Sequence, residues 1–175
     1  MTRNILHVGR KIKVALDTDV LPDGRTVIRD VVLHPGAVAV LPLVDDHHVC
    51  LLRNYRAVVN ETLWEVLAGT LEPGEPPASA AVRELEEETG YTARRWRKLA
   101  ELIPSPGVLS EVIHLFLAED LTPGPMRPEA GEELEPRVVP WDDALAWAMD
   151  GTIRDAKTLI ALLWWDRHRD AERGP

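Results

Sequence analysis

The stretch RELEEETG, residues 83 to 90, contains four glutamates within five positions and ends in a glycine. On an α-helix, Glu84, Glu87 and Glu88 are three and four residues apart, so their carboxylates project from one face. Like charges placed in this way repel each other by about 0.2–0.5 kcal/mol per pair. Two interpretations are open: the face is merely solvated, or its oxygens bind hard divalent cations such as Mg²⁺ and Mn²⁺.

The residues that precede this helix favour the metal-binding interpretation. From Gly69 the chain reads GTLEPGEPPASAAVRELEEETGY, in which five residues separate Gly69 from Glu75 and seven separate Glu75 from Arg83. This spacing resembles the signature of the Nudix hydrolases at every charged and glycine position that the signature specifies. Tyr91 differs from the family pattern, which has an aliphatic residue there. Seven fixed positions at ~7% each, over some 150 windows, match by chance on the order of 10⁻⁶.

The resemblance implies a fold and a chemistry. The fold is α+β, an α/β/α sandwich around a mixed β-sheet in which the signature forms a loop, a helix and a second loop. The chemistry is hydrolysis of a nucleoside diphosphate linked to another moiety, with Mg²⁺ as cofactor and Mn²⁺ as a substitute. Carried over by position, the metal ligands are Glu84, Glu87, Glu88 and the backbone carbonyl of Ala68. The catalytic set adds Arg83, which orients the carboxylates together with Glu75.

Two further segments resemble the branch of the family that cleaves ADP-ribose. LLRNYR and LWEVLAG place Arg53, Arg56 and Glu65 where that branch binds its substrate. IPSPGVLSEVIHLFLAE adds Ser105, Gly107 and Glu111, the last near the terminal sugar. A non-functional alternative stays open, in which Arg53 and Arg56 are strand-end surface residues and Glu111 is solvated.

The substrate and the catalytic base are the finer predictions. We expect cleavage of ADP-ribose to AMP and ribose 5-phosphate, with a GDP-mannose or general nucleoside-diphosphate-sugar pyrophosphatase as the alternative. A Nudix-fold binding module without turnover is a remote third hypothesis, against which the intact signature argues. In the ADP-ribose branch the base is a glutamate on the loop before the last strand, which predicts Glu132, with Glu133 and Glu135 as neighbours.

The flanking sequence predicts the elements that position these residues. Two β-rich runs flank Pro22-Asp23-Gly24, a sequence suited to a hairpin turn. Pro76 and Pro77 suit the start of the signature helix, and Gly90 suits its C-terminal cap. On that helix Ala78, Ala81, Val82 and Leu85 are expected to pack against a sheet. The further expected strands are GAVAVLPLV, HVCLLRNYR, TLWEVLAG, WRKLAELIPS, EVIHLFLAED and RVVPW, and the expected helices are DDALAWAMD and AKTLIALLWWDRHRD, the last behind Asp155 as N-cap.

The chain divides into two parts by this pattern. Residues 1–35 are predicted as a small N-terminal β-hairpin subdomain, and residues 36–170 as the Nudix hydrolase domain. The resemblance further implies a homodimer that exchanges N-terminal strands, and the first part is too short for a core of its own.

Composition limits the partners. A net charge of −9 over 175 residues argues against nucleic acid, which requires a basic face. An acidic protein that binds a nucleoside diphosphate sugar must borrow positive charge, most simply from metal ions. The one cysteine, Cys50, excludes an intramolecular disulfide, and its apolar neighbours predict a buried thiol. With no signal-peptide core and no membrane-spanning apolar run, we expect a cytoplasmic protein without a membrane partner.

Overall fold

A computed structural model of the chain describes residues 1–127 and 133–173, and the predicted base Glu132 lies outside them. The strands are β1 (Thr2–Val8), β2 (Lys13–Val20), β3 (Thr26–Leu33), β4 (Ala37–Asp45), β5 (His48–Arg56), β6 (Glu61–Glu65), β7 (Leu67–Thr70), β8 (Tyr91–Leu102), β9 (Ile113–Pro123) and β10 (Leu134–Pro140). The helices are α1 (Pro77–Thr89), α2 (Trp141–Asp150) and α3 (Ala156–Arg173).

Seven of these strands form the central sheet, in the order β10-β5-β4-β9-β8, with β6 added to β5 and β7 added to β4. The pair β4–β9 is parallel and the other pairs are antiparallel, so the sheet is mixed. One face packs against α1 and the other against α2 and α3. The predicted α+β fold, with a mixed sheet between helices, is confirmed.

Strand β4 lies at the centre of the sheet and is apolar on both faces. Val38 and Val40 join the cluster under α1, whereas Ala39 and Leu41 join the cluster under α2 and α3. A strand covered on both sides reads as a continuous apolar run, which is why its sequence shows no polar alternation. Cys50 on the adjacent strand is buried as expected, and burial raises the pKa of its thiol to about 12.

Helix α1 has the predicted ends but a slightly different buried face. Pro77 is its first residue, and Gly90 ends it in a left-handed conformation at φ 74°, donating its N–H to the carbonyl of Glu86. Ala80, Ala81 and Leu85 are the buried apolar residues. The expectation for Ala78 and Val82 was wrong because the contact stripe is narrower, and both side chains are exposed.

Several strand boundaries also differ from the prediction. The segment TLWEVLAG was expected to be one strand, but Val66 separates β6, which pairs with β5, from β7, which pairs with β4. Direct pairing between β4 and β5 is limited to their turn-proximal ends, Leu43–Asp45 with His48–Val49. At Val66 the chain therefore passes from pairing with β5 to pairing with β4. β10 begins earlier than expected, at Leu134, and Trp141 starts α2 instead of ending the strand.

The N-terminal segment forms a separate three-stranded antiparallel sheet. Strand β1 adds to the predicted hairpin of β2 and β3. Backbone hydrogen bonds from Val32 to Val108 and from Ser110 to Val32 tie this sheet to the loop before β9. Several of its apolar side chains are exposed, namely Ile5, Leu6, Val8, Val20 and Ile28. No helix in the described ranges is long and apolar enough to cross a membrane.

Candidate active site

The glutamate face of α1 lies against the short strand β7. Glu84 and Glu88 are almost fully buried there, at 8% and 4% exposure. The amide N–H of Ala68 donates to Oε2 of Glu88 over 3.2 Å. Gly69 has no room for a side chain, because a Cβ at that position would overlap the carboxyl group of Glu84. The signature glycine therefore makes space for a carboxylate, and this packing brings both glutamates to one stretch of backbone.

Arg83 binds the other carboxylates of the signature. Its Nε and Nη2 each lie 3.0 Å from an oxygen of Glu75. Its Nη1 donates to Glu84 over 2.6 Å and to Glu87 over 3.0 Å. The hydrogen bonds to Glu75 raise the pKa of the guanidinium and hold the pKa of the Glu75 carboxyl below its usual value. The structure thus brings together all the charged residues that the sequence placed in the orienting network.

A cavity of about 650 Å³ opens beside this network. Of the predicted site residues, its lining includes Arg56, Ala68, Arg83, Glu84, Glu88 and Glu111. It also includes residues that the sequence did not single out for the site, among them Lys11, Asn54, Tyr55, Glu72, Asp155 and Lys157. Acidic side chains from α1 and cationic side chains from β5 and α3 therefore line one space.

Glu65 lies behind the cavity wall and is not part of its lining. It is 1% exposed, and its carboxylate accepts two hydrogen bonds from Arg56, at 2.8 and 2.5 Å, and one from Lys157 at 2.7 Å. Burial alone would raise the pKa of Glu65, but the hydrogen bonds and charges of Arg56 and Lys157 outweigh it and lower the pKa. The carboxylate is thus ionised and engaged with two cations, which fits a residue that positions Arg56.

Arg53 lies apart from the main cavity. Its guanidinium stacks over Trp64, 4.9 Å from the ring centroid, and it lines a second, 370 Å³ cavity with Tyr55, Glu133 and Glu135. Its Nε is buried without a hydrogen-bond partner in the described part of the chain. The structure does not bring Arg53 to the carboxylates of α1.

The loop before β9 contains three predicted substrate residues, and only one of these three lines the cavity. The carbonyl of Ser105 accepts hydrogen bonds from the amides of Val108 and Leu109, so it closes a turn. Ser105 and Gly107 are outside the cavity lining, whereas Glu111 lines it and lies 3.4 Å from Nδ1 of His34. Of the three predicted residues in this loop, Glu111 is therefore the one that lines the cavity, which Pro104 of the same loop also lines.

Comparison with known proteins agrees with this geometry. The NUDIX domain profile matches residues 33–162. The chain belongs to the Nudix family. The ADP-ribose pyrophosphatase of Bacillus subtilis (strain 168) is 39% identical over 156 residues, which cover 88% of this chain and 84% of that protein. The GDP-mannose pyrophosphatase of Citrobacter koseri is 38% identical over 138 residues, covering 73% and 71%. A solved ADP compounds hydrolase superposes with a TM-score of 0.82 at 25% identity, over 99% of this chain and 97% of its own.

Two of the three glutamates predicted to bind the metal, Glu84 and Glu87, bind Arg83. Within residues 1–127 and 133–173, no group of three or more His, Cys, Asp or Glu side chains has a metal-binding arrangement. The reason is visible in the contacts, because Glu84 and Glu87 both point their oxygens at Nη1 of Arg83. The donor set still suits a hard cation, since it consists of carboxylate oxygens beside the backbone of Ala68. The predicted ligand set therefore stays a prediction that the chemistry of the donors supports.

Among the cavity residues of this Nudix chain that sequence reasoning missed, Lys157 has the closest contacts with a predicted site residue, since it binds Glu65. It is the second residue of α3, where the positive end of the helix dipole disfavours a cation. The signal available in the sequence was a lysine in the first turn of this helix, two residues after the capping carboxylate of Asp155. Its partner Glu65 is 92 positions away in the sequence, so the pairing itself could not be foreseen.

Proposed function

We propose that the protein hydrolyses the diphosphate bond of ADP-ribose to give AMP and ribose 5-phosphate. The observation that carries the proposal is the cavity, in which Glu84 and Glu88 of the signature helix share one space with Arg56 and Lys157. A diphosphate linked to two bulky groups needs a cavity of this kind, in which cations neutralise the negative charge of its phosphates. The ADP-ribose pyrophosphatase and ADP compounds hydrolase among the relatives support this substrate.

We assign the cofactor as Mg²⁺, with Mn²⁺ as a substitute. Glu84, Glu87, Glu88 and the carbonyl of Ala68 would hold it, and all of these supply the oxygen donors that such ions prefer. When bound, the ion neutralises phosphate charge and lowers the pKa of a coordinated water. Arg83 would release part of its hold on Glu84 and Glu87 while Glu75 keeps it in place, because Glu75 binds two other nitrogens of the guanidinium.

The remaining roles follow from position. Arg56 would bind a diphosphate oxygen, and Glu111, which lines the same cavity, would contact the sugar. Glu132 stays the predicted base that takes a proton from the attacking water. Ser105, Gly107 and Arg53 stay predicted substrate residues, and the positions described above support them less than they support the first two.

We also infer a cytoplasmic homodimer. The N-terminal sheet, residues 1–35, supports it because apolar residues such as Val20 and Ile28 are 72% and 63% exposed in the single chain. The two residues lie on the paired strands β2 and β3, and an exposed apolar patch is typical of an interaction site. The remainder, residues 36–170, is the proposed catalytic domain. The single cysteine, which excludes an intramolecular disulfide, supports the reducing compartment.

A substrate panel at equal Mg²⁺ tests the proposal. ADP-ribose should give a higher specificity constant than GDP-mannose, other ADP-sugars should be cleaved measurably, and nucleoside triphosphates should be poor substrates. The GDP-mannose pyrophosphatase relative makes GDP-mannose the rival, and a higher value for it would overturn the substrate while leaving the metal chemistry intact. EDTA should abolish turnover reversibly. Absence of nucleoside monophosphate formation from every compound of the panel with Mg²⁺ would instead identify a binding module.

A further inference from the structure

A third cavity, of about 670 Å³, shares no lining residue with the active-site cavity in the described part of the chain. Ala37, the first residue of β4, lines the active-site cavity, whereas Leu43 of the same strand lines the third one. Six positions along a strand correspond to about 20 Å. On α3, Lys157 lines the first cavity and Arg169 lines the third, about 18 Å further along the helix. The third cavity is therefore a separate space.

Arginines supply most of the charge in this space, which we call the arginine cavity. Its charged lining residues are Arg94, Arg95, Arg97, Arg169, Asp46 and Glu119. Two carboxylates outside the lining, Asp120 and Asp166, pair with Arg95 and Arg169. The whole chain has a net charge of −9, so four arginines around one cavity run against its overall composition.

Two of these arginines are held against buried tryptophans. The guanidinium carbon of Arg97 lies 4.7 Å from the ring centroid of Trp165, and that of Arg169 lies 4.8 Å from the ring centroid of Trp141. Both tryptophans belong to the core under α2 and α3. A guanidinium that rests on a ring face keeps its N–H donors, which lie in its own plane. Stacking therefore fixes both cations and leaves them able to bind an anion.

Arg169 has a donor that the described residues leave unsatisfied. Its Nε is buried and has no hydrogen-bond partner among them. Its ion pair with Asp166 is 3.3 Å long and uses Nη2, and the same carboxylate oxygen also accepts from Nε1 of Trp141. A buried N–H without an acceptor is unfavourable, more so on a charged group. Arg94 is exposed and forms no ion pair within residues 1–127 and 133–173. An anion in this cavity would satisfy the first arginine and pair with the second.

We propose that the arginine cavity binds a small phosphate monoester, with Nε of Arg169 donating to the phosphate and Arg94 and Arg97 adding positive charge. A phosphate monoester carries about 1.5 to 2 negative charges near pH 7 and three strong acceptor oxygens, so it can engage several guanidiniums at once. A carboxylate brings one charge and two oxygens. The volume falls within the range of about 300–1,000 Å³ that is typical of sites for small organic molecules. Leu43 adds apolar surface for the organic part.

The Nε–Hε resonance of Arg169 in ¹⁵N-labelled wild-type protein tests the contact directly. The resonance is assigned by its absence in Arg169→Lys. AMP and glucose 6-phosphate, two monoesters with different organic parts, are titrated in EDTA, with adenosine and glucose as the controls that lack phosphate. The resonance should shift with at least one monoester and stay fixed with both controls. A resonance that stays fixed with both monoesters, or that moves as far with a control as with its ester, would overturn the proposal.

Isothermal titration of variants locates the bound ester. Arg169→Gln should weaken it about 10- to 100-fold, the loss expected for one charge-assisted hydrogen bond. Arg94→Gln should weaken it about 2- to 5-fold, as expected for an exposed charge. Arg25→Gln is the matched control, because it removes the same charge from an arginine that pairs with Asp23 outside both cavity linings. Its affinity should equal that of the wild type.

Unchanged affinity in a folded Arg169→Gln would place the ester elsewhere and overturn the proposal. If that variant does not fold, the wild-type resonance and Arg94→Gln decide, and a fixed resonance or an unchanged affinity refutes the site. Inorganic phosphate should bind more weakly than the better of the two esters, because the organic part also contacts the cavity. Equal affinity for inorganic phosphate would overturn the assignment of an ester. These measurements use neither Mg²⁺ nor turnover, so their outcome does not depend on the proposed function.

Discussion

Replacing Gly69 by alanine should separate catalysis from stability. A Cβ at residue 69 would lie well inside 3.0 Å of the carboxyl group of Glu84, a distance that Cβ atoms essentially never show. The end of the Glu84 side chain must therefore move by about 1 Å or more, and a displacement of that size at a catalytic group costs about 10²-fold in rate. The group that moves is the flexible end of a side chain, and the backbone of Gly69 does not need a positive φ. The fold should thus be retained, with a change in unfolding free energy within about 1 kcal/mol.

The assay is turnover of ADP-ribose at saturating Mg²⁺, paired with thermal unfolding in EDTA. Gly24→Ala is the control with the opposite expected effects, because Gly24 is outside the cavity lining and has φ +85° with open space around a built Cβ. It should lower stability by about 1 kcal/mol through backbone strain and leave turnover unchanged. In a double-mutant cycle, Gly69→Ala should add little to the loss caused by Glu84→Gln, since both act on one carboxylate. Turnover of Gly69→Ala within threefold of the wild type, or full additivity in the cycle, would refute the reasoning.

Four further outcomes are expected. Glu87→Gln and Glu88→Gln should each lower turnover about 10²-fold or more at saturating Mg²⁺ while the fold is retained in EDTA, because each removes a charged oxygen from the proposed metal site; unimpaired rates would exclude these residues. Glu132→Gln should lower kcat about 10²–10⁴-fold with little change in KM. If its neighbouring loop glutamates give that loss instead, the position of the base is wrong. The lowered pKa of Glu65 gives stability that is present above its unfolded value of 4.5 and is lost as pH falls through the folded value. Glu65→Gln should therefore cost about 3–5 kcal/mol near pH 7, and the gap from wild type in urea unfolding should narrow toward pH 3; a gap independent of pH would contradict the pairing. Ile28→Asp should yield a monomer in light scattering if the N-terminal sheet forms the dimer interface, whereas an unchanged mass would move that interface elsewhere.

The sequence predicted the parts of the site that depend on local spacing. Glu84, Glu88 and Arg83 lie on one helix, and a period of 3.6 residues fixes which side chains share a face. The ends of that helix could be predicted equally well, because proline and Gly90 act through their own backbone geometry. The mixed sheet and its helices followed from the family resemblance and are confirmed by the structure.

The parts that could not be predicted depend on contacts between distant segments. TLWEVLAG forms two strands because its first half pairs with β5 and its second half pairs with β4. The positions of β4 and β5 are not encoded in the segment itself. Arg53 and Arg56 were given one role, yet they are three residues apart on a strand. Residues separated by an odd number point to opposite faces of a strand, and only Arg56 lines the main cavity. The different roles of Arg53 and Arg56 could therefore have been predicted from the two-residue alternation of side chains along a strand.

The arrangement of charge explains how an acidic chain can bind an anion. Three signature carboxylates, from Glu75, Glu84 and Glu87, share the one positive charge of Arg83, and the fourth, Glu88, accepts a hydrogen bond from the amide of Ala68. On the cationic side, Arg56 and Lys157 both bind the buried carboxylate of Glu65, and the charge of Glu88 also acts on Arg56. If these cations were free to move, they would pair with the glutamates of α1 and remove the attraction for a diphosphate. Because Glu65 holds Arg56 and Lys157 in place, positive charge stays fixed in a cavity that the carboxylates of α1 also line.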